Sequence, residues 1–469
     1  MKHVIALVGR PNVGKSTLFN RLTKTRDALV ADEPGLTRDR RYGHLYFDDK
    51  TYILVDTGGI SSDEGIDGLI TEQAYLAIEE SHAVVFLVDG RAGLTPDDYD
   101  IAQRLRQSGK PVFVAVNKTE GMNRGLVESE FYALGIKTVY SCSGAHGDGI
   151  GDLFEAVTDK FTQDEEELVT NQLARGARVA IVGRPNVGKS TLVNRLLGEE
   201  RVLAFDMPGT TRDSIYIPFE HKGHEFTLID TAGVRRKSRV HDKIEKFSIV
   251  KTLQAIESSN AVILVLDAQQ GISTQDASLL GYVVESGKAL LIAVNKWDHL
   301  DKASKDRVKK EFDRKLTFVD FASVHYISAL HGTGVGKLMA VVQRCYEVSR
   351  QTYATNMLTK ILEDAVLSHG PPSAGGRKIK LRYAHQGGQN PPVFVVHGTQ
   401  TERLPDSYRR YLINVFRKVL KIEGTPIRFE FKSSKNPFEG RKNKLTPNQM
   451  RKRKVQQLIK QKLKKKQEK

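Results

Sequence analysis

The chain has 469 residues, of which 39% are hydrophobic and 27% are charged, so it can form globular domains and is not mainly disordered. At roughly 100–200 residues per domain, this length predicts about three domains. It contains no run of about 18 apolar residues and no signal peptide before its first motif, so we expect neither a membrane-spanning helix nor export. The two cysteines, Cys142 and Cys345, exclude a disulfide framework and indicate a cytoplasmic protein.

The net charge of +16 is concentrated near the C-terminal end. Residues 1–348 carry 44 Lys and Arg against 48 Asp and Glu, whereas residues 349–469 carry 28 against 8. This distribution predicts a near-neutral body and a basic C-terminal quarter that binds a polyanion.

An internal repeat covers most of the body. Residues 7–22 read LVGRPNVGKSTLFNRL and residues 181–196 read IVGRPNVGKSTLVNRL, with fourteen of sixteen positions identical. Apolar runs alternate with amphipathic stretches in both copies, which predicts α/β domains with a mainly parallel sheet and helices on both faces. The predicted strands are 4–8, 51–55, 83–88 and 112–116, then 179–182, 226–229, 261–266 and 289–294. The predicted domains are residues 1–161 and 179–348, joined by an acidic linker at 162–178.

Each copy opens with the pattern GxxxxGK[ST], directly after its first strand. The glycines let backbone N–H groups face phosphate oxygens, and the helix that begins there adds its positive end. The lysine would face the β- and γ-phosphates, and the serine would bind Mg²⁺. The residues are Gly9, Arg10, Pro11, Asn12, Val13, Gly14, Lys15 and Ser16, and then Gly183, Arg184, Pro185, Asn186, Val187, Gly188, Lys189 and Ser190.

Two further elements of each copy are expected to contact the metal ion and the γ-phosphate. Each copy has a threonine in a polar loop, Thr37 in PGLTRD and Thr211 in PGTTRD. This threonine can reach Mg²⁺, and its position can depend on whether the γ-phosphate is present. A DxxG segment then ends an apolar strand, with its Asp near the metal and its last glycine offering an N–H to the γ-phosphate. These segments are Asp56, Thr57, Gly58 and Gly59, and Asp230, Thr231, Ala232 and Gly233.

A base-reading segment follows in both copies. In the second copy it is Asn295, Lys296, Trp297 and Asp298, with Ser328 and Ala329 in a later loop. The carboxylate of this Asp can accept hydrogen bonds from guanine N1–H and the exocyclic amino group, which adenine lacks, so the motif predicts GTP. The first copy reads Asn117, Lys118, Thr119 and Glu120, then Ser143-Gly144. Because glutamate is longer than aspartate, we expect the second site to be the more guanine-selective one.

The pattern changes after about residue 349. A helix at 349–368, strands at 378–384 and 393–397, a helix at 406–420 and a strand at 426–432 predict a small α+β domain over residues 349–439. Its sheet would carry helices on one face only. Residues 440–469 hold 13 Lys and Arg and one acid, which predicts a tail that binds RNA phosphates. A membrane surface is the competing interpretation, but the tail lacks aromatic residues.

The motifs in this order resemble a translation-factor-type GTPase. Two such domains in tandem, each with VGRPNVGKSTL and PGxTRD, resemble the double-Era-like GTPases of the EngA or Der family. The resemblance covers the chain to about residue 440. It implies GTP hydrolysis, a KH-like fold for the third domain, although a GXXG loop is missing from it, and assembly of the large ribosomal subunit with ribosomal RNA as partner. We expect a monomer in solution.

Some residues leave alternatives open. Ile60 and Val234 follow the DxxG segments and cannot orient a water as glutamine does, so intrinsic hydrolysis should be slow. In related GTPases an asparagine at the position of Asn12 and Asn186 helps to hold K⁺, which implies a K⁺ requirement; the alternative is that both only stabilise their loops. For the protein as a whole, the alternative to a GTPase switch is an RNA-binding scaffold held by nucleotide, with incidental hydrolysis. A last hypothesis gives the basic loop 234–239 a role in coupling GTP to RNA.

Overall fold

The computed structural model describes residues 2–23, 42–57, 72–161, 176–198, 201–202, 216–229, 249–374 and 377–433. They form two α/β domains with mostly parallel sheets and a small α+β domain, as predicted. Within these ranges, none of the helices has the length and apolar character that a bilayer crossing requires.

The first α/β domain contains a six-stranded sheet. Its strands are β1 (Val4–Val8), β2 (Tyr42–Phe47), β3 (Lys50–Asp56), β4 (Ala83–Asp89), β5 (Val112–Asn117) and β6 (Val139–Ser141). They lie in the order β2-β3-β1-β4-β5-β6, and only β2 is antiparallel to its neighbour. The described helices are α1 (Lys15–Leu22), α2 (Glu72–Glu80), α3 (Pro96–Gln107), α4 (Arg124–Phe131) and α5 (Ile150–Thr158).

The second α/β domain repeats this plan with one more strand. Its strands are β7 (Ala177–Val182), β8 (Arg201–Val202), β9 (Tyr216–His221), β10 (His224–Ile229), β11 (Ala261–Asp267), β12 (Ala289–Asn295) and β13 (Ser323–Tyr326). The sheet order is β13-β12-β11-β7-β10-β9-β8. The described helices are α6 (Lys189–Gly198), α7 (Ile249–Ser258), α8 (Thr274–Glu285), α9 (Lys302–Lys315) and α10 (Leu338–Arg350).

The sequence located the central parallel strands but missed the antiparallel hairpins. The strands β4, β5, β11 and β12 match the predicted apolar runs and each continues by one polar residue at its carboxyl end. The hairpin of β2 and β3 turns at Asp48 and Asp49, both with positive φ, 48° and 56°. Two consecutive residues of this kind make the tight turn that suits a twisted hairpin. Because β2 reads YGHLYF without a clean apolar run, hydrophobicity alone did not reveal it.

The third domain packs its helices on one face of a three-stranded sheet, as predicted. Its helices are α11 (Thr355–Ser368) and α12 (Asp406–Leu420), and its sheet contains β16 (Lys380–Gly388), β17 (Val393–Thr399) and β18 (Arg428–Ser433). A short hairpin, β14 (Ser373–Ala374) with β15 (Arg377–Lys378), precedes the sheet. The core joins Leu358 and Leu362 of α11, Leu412 and Phe416 of α12 and Phe394 of β17. The predicted helix at 349–368 is instead split between α10 and α11.

The two α/β domains share a buried contact. The β2 edge of the first domain presents Tyr42 and His44 to helix α8 of the second, where both rings contact the ring of Tyr282. The His44 Nε2 lies 2.5 Å from Oε1 of Glu257 on α7, and that carboxylate also accepts from the Tyr282 hydroxyl at 2.8 Å. Lys2 approaches the other oxygen of Glu257 at 2.7 Å. This buried cluster therefore draws on both domains.

The third domain is joined to the second by main-chain hydrogen bonds. The N–H of Gly424 donates to the carbonyl of Phe321 at 2.7 Å, and the N–H of Leu290 donates to the carbonyl of Gly424 at 2.8 Å. Gly424 has φ of 71°, and a Cβ there would collide with the sulfur of Cys345, so only glycine suits the position. Arg417 adds an ion pair to Asp320 at 3.0 Å and lies over the ring of Phe321.

Candidate nucleotide-binding sites

The two glycine-rich loops connect a first strand to a helix, as the motif requires. In the first domain, β1 leads through Gly9 to α1, and Gly9, Asn12 and Gly14 all have positive φ. A Cβ on Gly9 would collide with the carbonyl of Leu87, and one on Gly14 with the Asn117 amide. The matching residues of the second domain, Gly183, Asn186 and Gly188, have φ within about 6° of these values. Both loops therefore have the conformation that turns backbone N–H groups inward.

The loop lysines lie across their own loops. Lys15 Nζ donates to the carbonyls of Gly9 and Arg10, both at 2.7 Å, and Lys189 Nζ donates to the carbonyl of Arg184 at 2.7 Å. Burial lowers the pKa of Lys15, while the nearby Asp56 carboxylate opposes that shift. A partly buried cation surrounded by carbonyl oxygens is placed to exchange them for phosphate oxygens.

The serine that follows Lys15 pairs with the end of β3. Ser16 Oγ donates to Asp56 Oδ2 at 3.2 Å, and Asp56 is buried. A hydroxyl and a carboxylate oxygen side by side are hard ligands of the kind that Mg²⁺ prefers. Thr57 is held apart from them, because its hydroxyl donates to the carbonyl of Leu7 at 2.7 Å.

A buried asparagine ties the phosphate loop to the base-reading loops. Asn117 Nδ2 donates to the carbonyl of Val13 at 2.8 Å, and its Oδ1 accepts from the N–H of Gly144 at 2.8 Å. In the second domain, Asn295 makes the same two bonds, with Val187 at 2.8 Å and with Ala329 at 2.9 Å. The side chains at these positions organise three loops around one edge of each sheet.

The next lysine is fixed by an aspartate at the end of the neighbouring strand. Lys118 Nζ donates to Asp89 Oδ2 at 2.6 Å and to the carbonyl of Asn12 at 2.9 Å. Lys296 makes the matching bond to Asp267 at 2.6 Å. Burial opposes ionisation of Asp89, but hydrogen bonds from Lys118 and backbone N–H groups outweigh it and lower the pKa of this carboxyl. The Lys118 side chain lies beside the phosphate loop, where a flat base can pack on its aliphatic part.

The two base-reading carboxylates are held by equivalent serines. Ser143 Oγ donates to Glu120 Oε1 at 2.5 Å, and this bond lowers the pKa of Glu120. A hydrogen bond from Ser328 likewise lowers the pKa of Asp298. Both acids are therefore ionised acceptors at neutral pH, and both side chains are partly exposed. The longer Glu120 has a second partner, because Arg91 Nη2 lies 3.1 Å from its Oε2.

Comparison with known proteins identifies the family. The family described as 50S ribosome-binding GTPase matches residues 4–118 and 178–296, and the KH-domain-like C-terminal family of EngA bacterial GTPases matches residues 353–432. GTPase Der of Hahella chejuensis is 56% identical over 454 residues, which cover 97% of this chain and 96% of that protein. GTPase Der of Thioalkalivibrio sulfidiphilus is 57% identical over 455 residues, covering 97% and 98%. The chain belongs to the GTPase Der family.

Membership of the Der family makes this chain a GTP-hydrolysing enzyme with two GTPase domains and a KH-like third domain. The solved structures that the comparison matches to this chain include an Era variant from Aquifex aeolicus bound to GDP and AlF₄⁻. It is 17% identical, covers 55% of this chain and 93% of that chain, and has a TM-score of 0.27.

Some of the predicted Der site residues lie outside the described part of the chain. These are both switch threonines, the end of the first DxxG segment and the whole of the second, namely Thr37, Gly58, Gly59, Thr211, Asp230, Thr231, Ala232 and Gly233. The basic loop 234–239, most of the linker and the tail 440–469 also lie outside it. Their roles stay predictions.

The structure adds residues that lie outside the sequence motifs and contact the site. Arg10 and Arg184 of the phosphate loops pair with Asp98 and Asp276 at the starts of helices α3 and α8. Arg21 of α1 donates to the carbonyl of Gly144 at 2.8 Å. The internal repeat could have revealed the aspartates among them. Asp98 matches Asp276, and Asp89 matches Asp267, at the spacing of 178 residues that also relates the two base-reading segments.

Proposed function

We propose that this protein is a nucleotide-dependent switch in the assembly and stability of the large ribosomal subunit. The observation that carries the proposal is the direct hydrogen bonding of a KH-like domain to one of two GTPase domains. The basic C-terminal quarter supplies charge for ribosomal RNA. We also propose that it acts in the cytoplasm as a monomer.

Within each site we assign roles from the geometry and the motif. Lys15 and Lys189 stabilise the charge that develops on the transferred phosphoryl group. Ser16 and Asp56 in one domain, and Ser190 and Asp230 in the other, would hold Mg²⁺ together with Thr37 and Thr211. The bound ion would neutralise the negative charge on the phosphate oxygens. Gly59 and Gly233 offer N–H groups to the γ-phosphate.

Guanine selection falls to Glu120 and Asp298. Each carboxylate is ionised and oriented by a serine hydroxyl, so it can accept both guanine donors. Neither Ile60 nor Val234 can orient the attacking water. We therefore propose that another group, with K⁺ held beside Asn12 and Asn186, supplies that function. Comparing the rate of GTP hydrolysis in K⁺ with that in Na⁺ tests this proposal. Equal rates in both salts would mean that the two asparagines only stabilise their loops.

The deciding experiment measures GTP turnover with and without large ribosomal subunits, together with co-sedimentation in GTP and in GDP. A switch requires particle-stimulated turnover and a difference in binding between the two nucleotides. The alternative, a nucleotide-held RNA scaffold, predicts RNA binding with unchanged turnover. No binding to the large subunit in either state would contradict both.

A further inference from the structure

The KH-like sheet has one face covered by helices and one face that carries aromatic rings. On the uncovered face, Tyr383 and His385 of β16 lie opposite His397 and Val395 of β17. The Tyr383 and His397 rings are parallel, with centroids 4.4 Å apart and planes 6° apart, and His385 lies 5.1 Å from His397. The three rings thus stack on one another as a single aromatic cluster on this face. We call these three residues the ring platform.

The ring platform lies at the end of this face that is farther from the second GTPase domain. At the other end of β18, the side chain of Arg428 donates to the carbonyl of Glu285, and Pro391 packs beside Gly287, so the second GTPase domain covers that end. Tyr383 is 43% exposed. Among the described residues, neither its hydroxyl nor the two imidazoles have a hydrogen-bond partner. Within the described part of the chain, the platform is therefore open to a ligand.

Positive charge surrounds the platform. Lys432 of β18 lies opposite His397, and Lys380 of β16 lies opposite Thr399 on the same face; both lysines are exposed. Glu430 is the acid on this face, two residues from Lys432 along β18. The strand ends at Ser433, after which the chain continues into residues 434–469, which carry 14 Lys and Arg. Burial, with His385 and Lys432 nearby, lowers the pKa of His397, which favours its neutral form at pH 7.

We propose that the ring platform binds the bases of single-stranded RNA by stacking, while Lys380 and Lys432 contact the adjacent phosphates. Rings on the open face of a small sheet offer a surface that accepts any base, and flanking lysines attract the backbone. This mode needs no GXXG loop, which the domain lacks. The inference deepens the proposed function, since it gives the KH-like domain a particular class of RNA and a particular face.

The test compares full-length protein with a Tyr383→Leu/His397→Leu variant. The ligand is a fluorescent single-stranded oligoribonucleotide, and a control oligomer of equal length has abasic sites in its centre. We expect the variant to bind the intact oligomer at least about tenfold more weakly and the abasic oligomer as the wild type does. Tyr383→Phe, which keeps the ring, should bind both like wild type. Equal affinity of wild type and variant for the intact oligomer would overturn the proposal.

Salt dependence separates stacking from charge. The ring variant should keep the wild-type slope of log affinity against log salt, whereas Lys380→Ala/Lys432→Ala should reduce that slope by about 1.4. An oligomer carrying 2-aminopurine gives an independent readout, because its fluorescence falls when the base stacks. Unchanged 2-aminopurine fluorescence on binding to wild type would overturn stacking even if a ring variant failed to fold.

The outcomes also separate this inference from the proposed function. Wild type could show nucleotide-dependent binding to the large subunit while the ring variant binds the oligomer normally. That result would contradict RNA stacking on the ring platform and support the proposed switch. If the ring variant loses binding to the subunit but not to the oligomer, the platform contacts protein and the inference is overturned. If bases of the oligomer stack on wild type but the protein does not bind the large subunit, the proposed switch is contradicted and the proposed RNA stacking is supported.

Discussion

The two GTPase domains are alike where they face phosphate and differ where they face the base. The contacts of Lys15 and Lys189 with their loop carbonyls, and of Asn117 and Asn295 with the loops behind them, have nearly the same lengths. Beside the base, Glu120 has an arginine partner. Asp298 instead has His299 and His331, each 3.4 Å from its carboxylate. Phosphate binding depends on one backbone conformation, whereas a carboxylate can be brought to a base in more than one way.

The largest expected effect tests whether the phosphate loops of both domains contribute equally to GTP hydrolysis. Lys15→Ala and Lys189→Ala should each abolish hydrolysis in their own domain, because each removes the charge that faces the transferring phosphoryl group. The double variant should lose at least about 100-fold in GTP turnover. The exposed Lys160→Ala is the matched control and should be active. Wild-type turnover by the double variant would show that the assignment is wrong.

The second test targets the base-reading difference. Asp298→Asn should weaken GTP binding by about 2–4 kcal/mol, since a charged acceptor is lost, and Glu120→Gln should cost less. Calorimetric titration of the full chain should show one of two binding events weakened in each variant. A larger loss from Glu120→Gln would reverse the ranking of the two sites.

Xanthosine triphosphate gives this second test a control for a general loss of binding. Its base carries a 2-oxo group where guanine carries the amino group, so the side-chain amide introduced by Asp298→Asn can donate to it and restore affinity. Asp298→Ala removes the carboxylate without supplying a donor and should gain no affinity for this nucleotide. Equal binding of xanthosine triphosphate by the two variants would show that residue 298 does not contact the base.

The third test concerns the surface at which the domains meet. Glu257 is buried against His44, and although burial opposes ionisation, its partners His44, Lys2 and Lys288 hold its pKa far below the usual range. Glu257→Gln should lower the free energy of unfolding by about 1–3 kcal/mol at pH 7, measured by denaturant titration. The exposed Glu155→Gln should change it little.

The pH dependence of that loss follows from the direction of the shift. A carboxylate with a depressed folded-state pKa stabilises fully above its unfolded value of about 4.3, and this contribution fades as the pH falls toward the folded value. The stability gap between wild type and Glu257→Gln should therefore shrink as the pH falls from about 5 to 3. A gap that widened as the pH fell from about 5 to 3 would contradict the stabilising role of the Glu257 carboxylate.

The smallest test exchanges one residue between the domains. Arg91, which holds Glu120, is 63% exposed and corresponds to Gln269 in the second domain. Arg91→Gln should weaken GTP binding in the first domain by less than about 1 kcal/mol, as for other exposed ion pairs. Gln269→Arg in the second domain is the reciprocal control. A loss as large as that from Glu120→Gln would mean that Arg91 contacts the nucleotide itself.

The sequence predicted the parts of this molecule that are set by local rules. The phosphate loops, the central strands and the carboxyl-end positions of Asp56 and Asn117 follow from motif and hydrophobicity. The contact of His44 with Glu257 could not be predicted, because it joins residues 213 positions apart on two different domains. The Arg91 contact was missed for a related reason, since it depends on how two loops approach one another in space.

The hydrogen bonds of Gly424 carry a consequence for how the protein opens. Leu290, which donates to Gly424, lies at the start of strand β12, and Asn295 at the other end of the same strand holds the phosphate loop. Separation of the two domains would break both the bond from Leu290 to Gly424 and the bond from Gly424 to Phe321, so the amide protons of Leu290 and Gly424 should exchange with deuterium at similar rates. The second and third domains should then absorb heat as one cooperative unit, and a chain with three domains should show fewer than three calorimetric transitions.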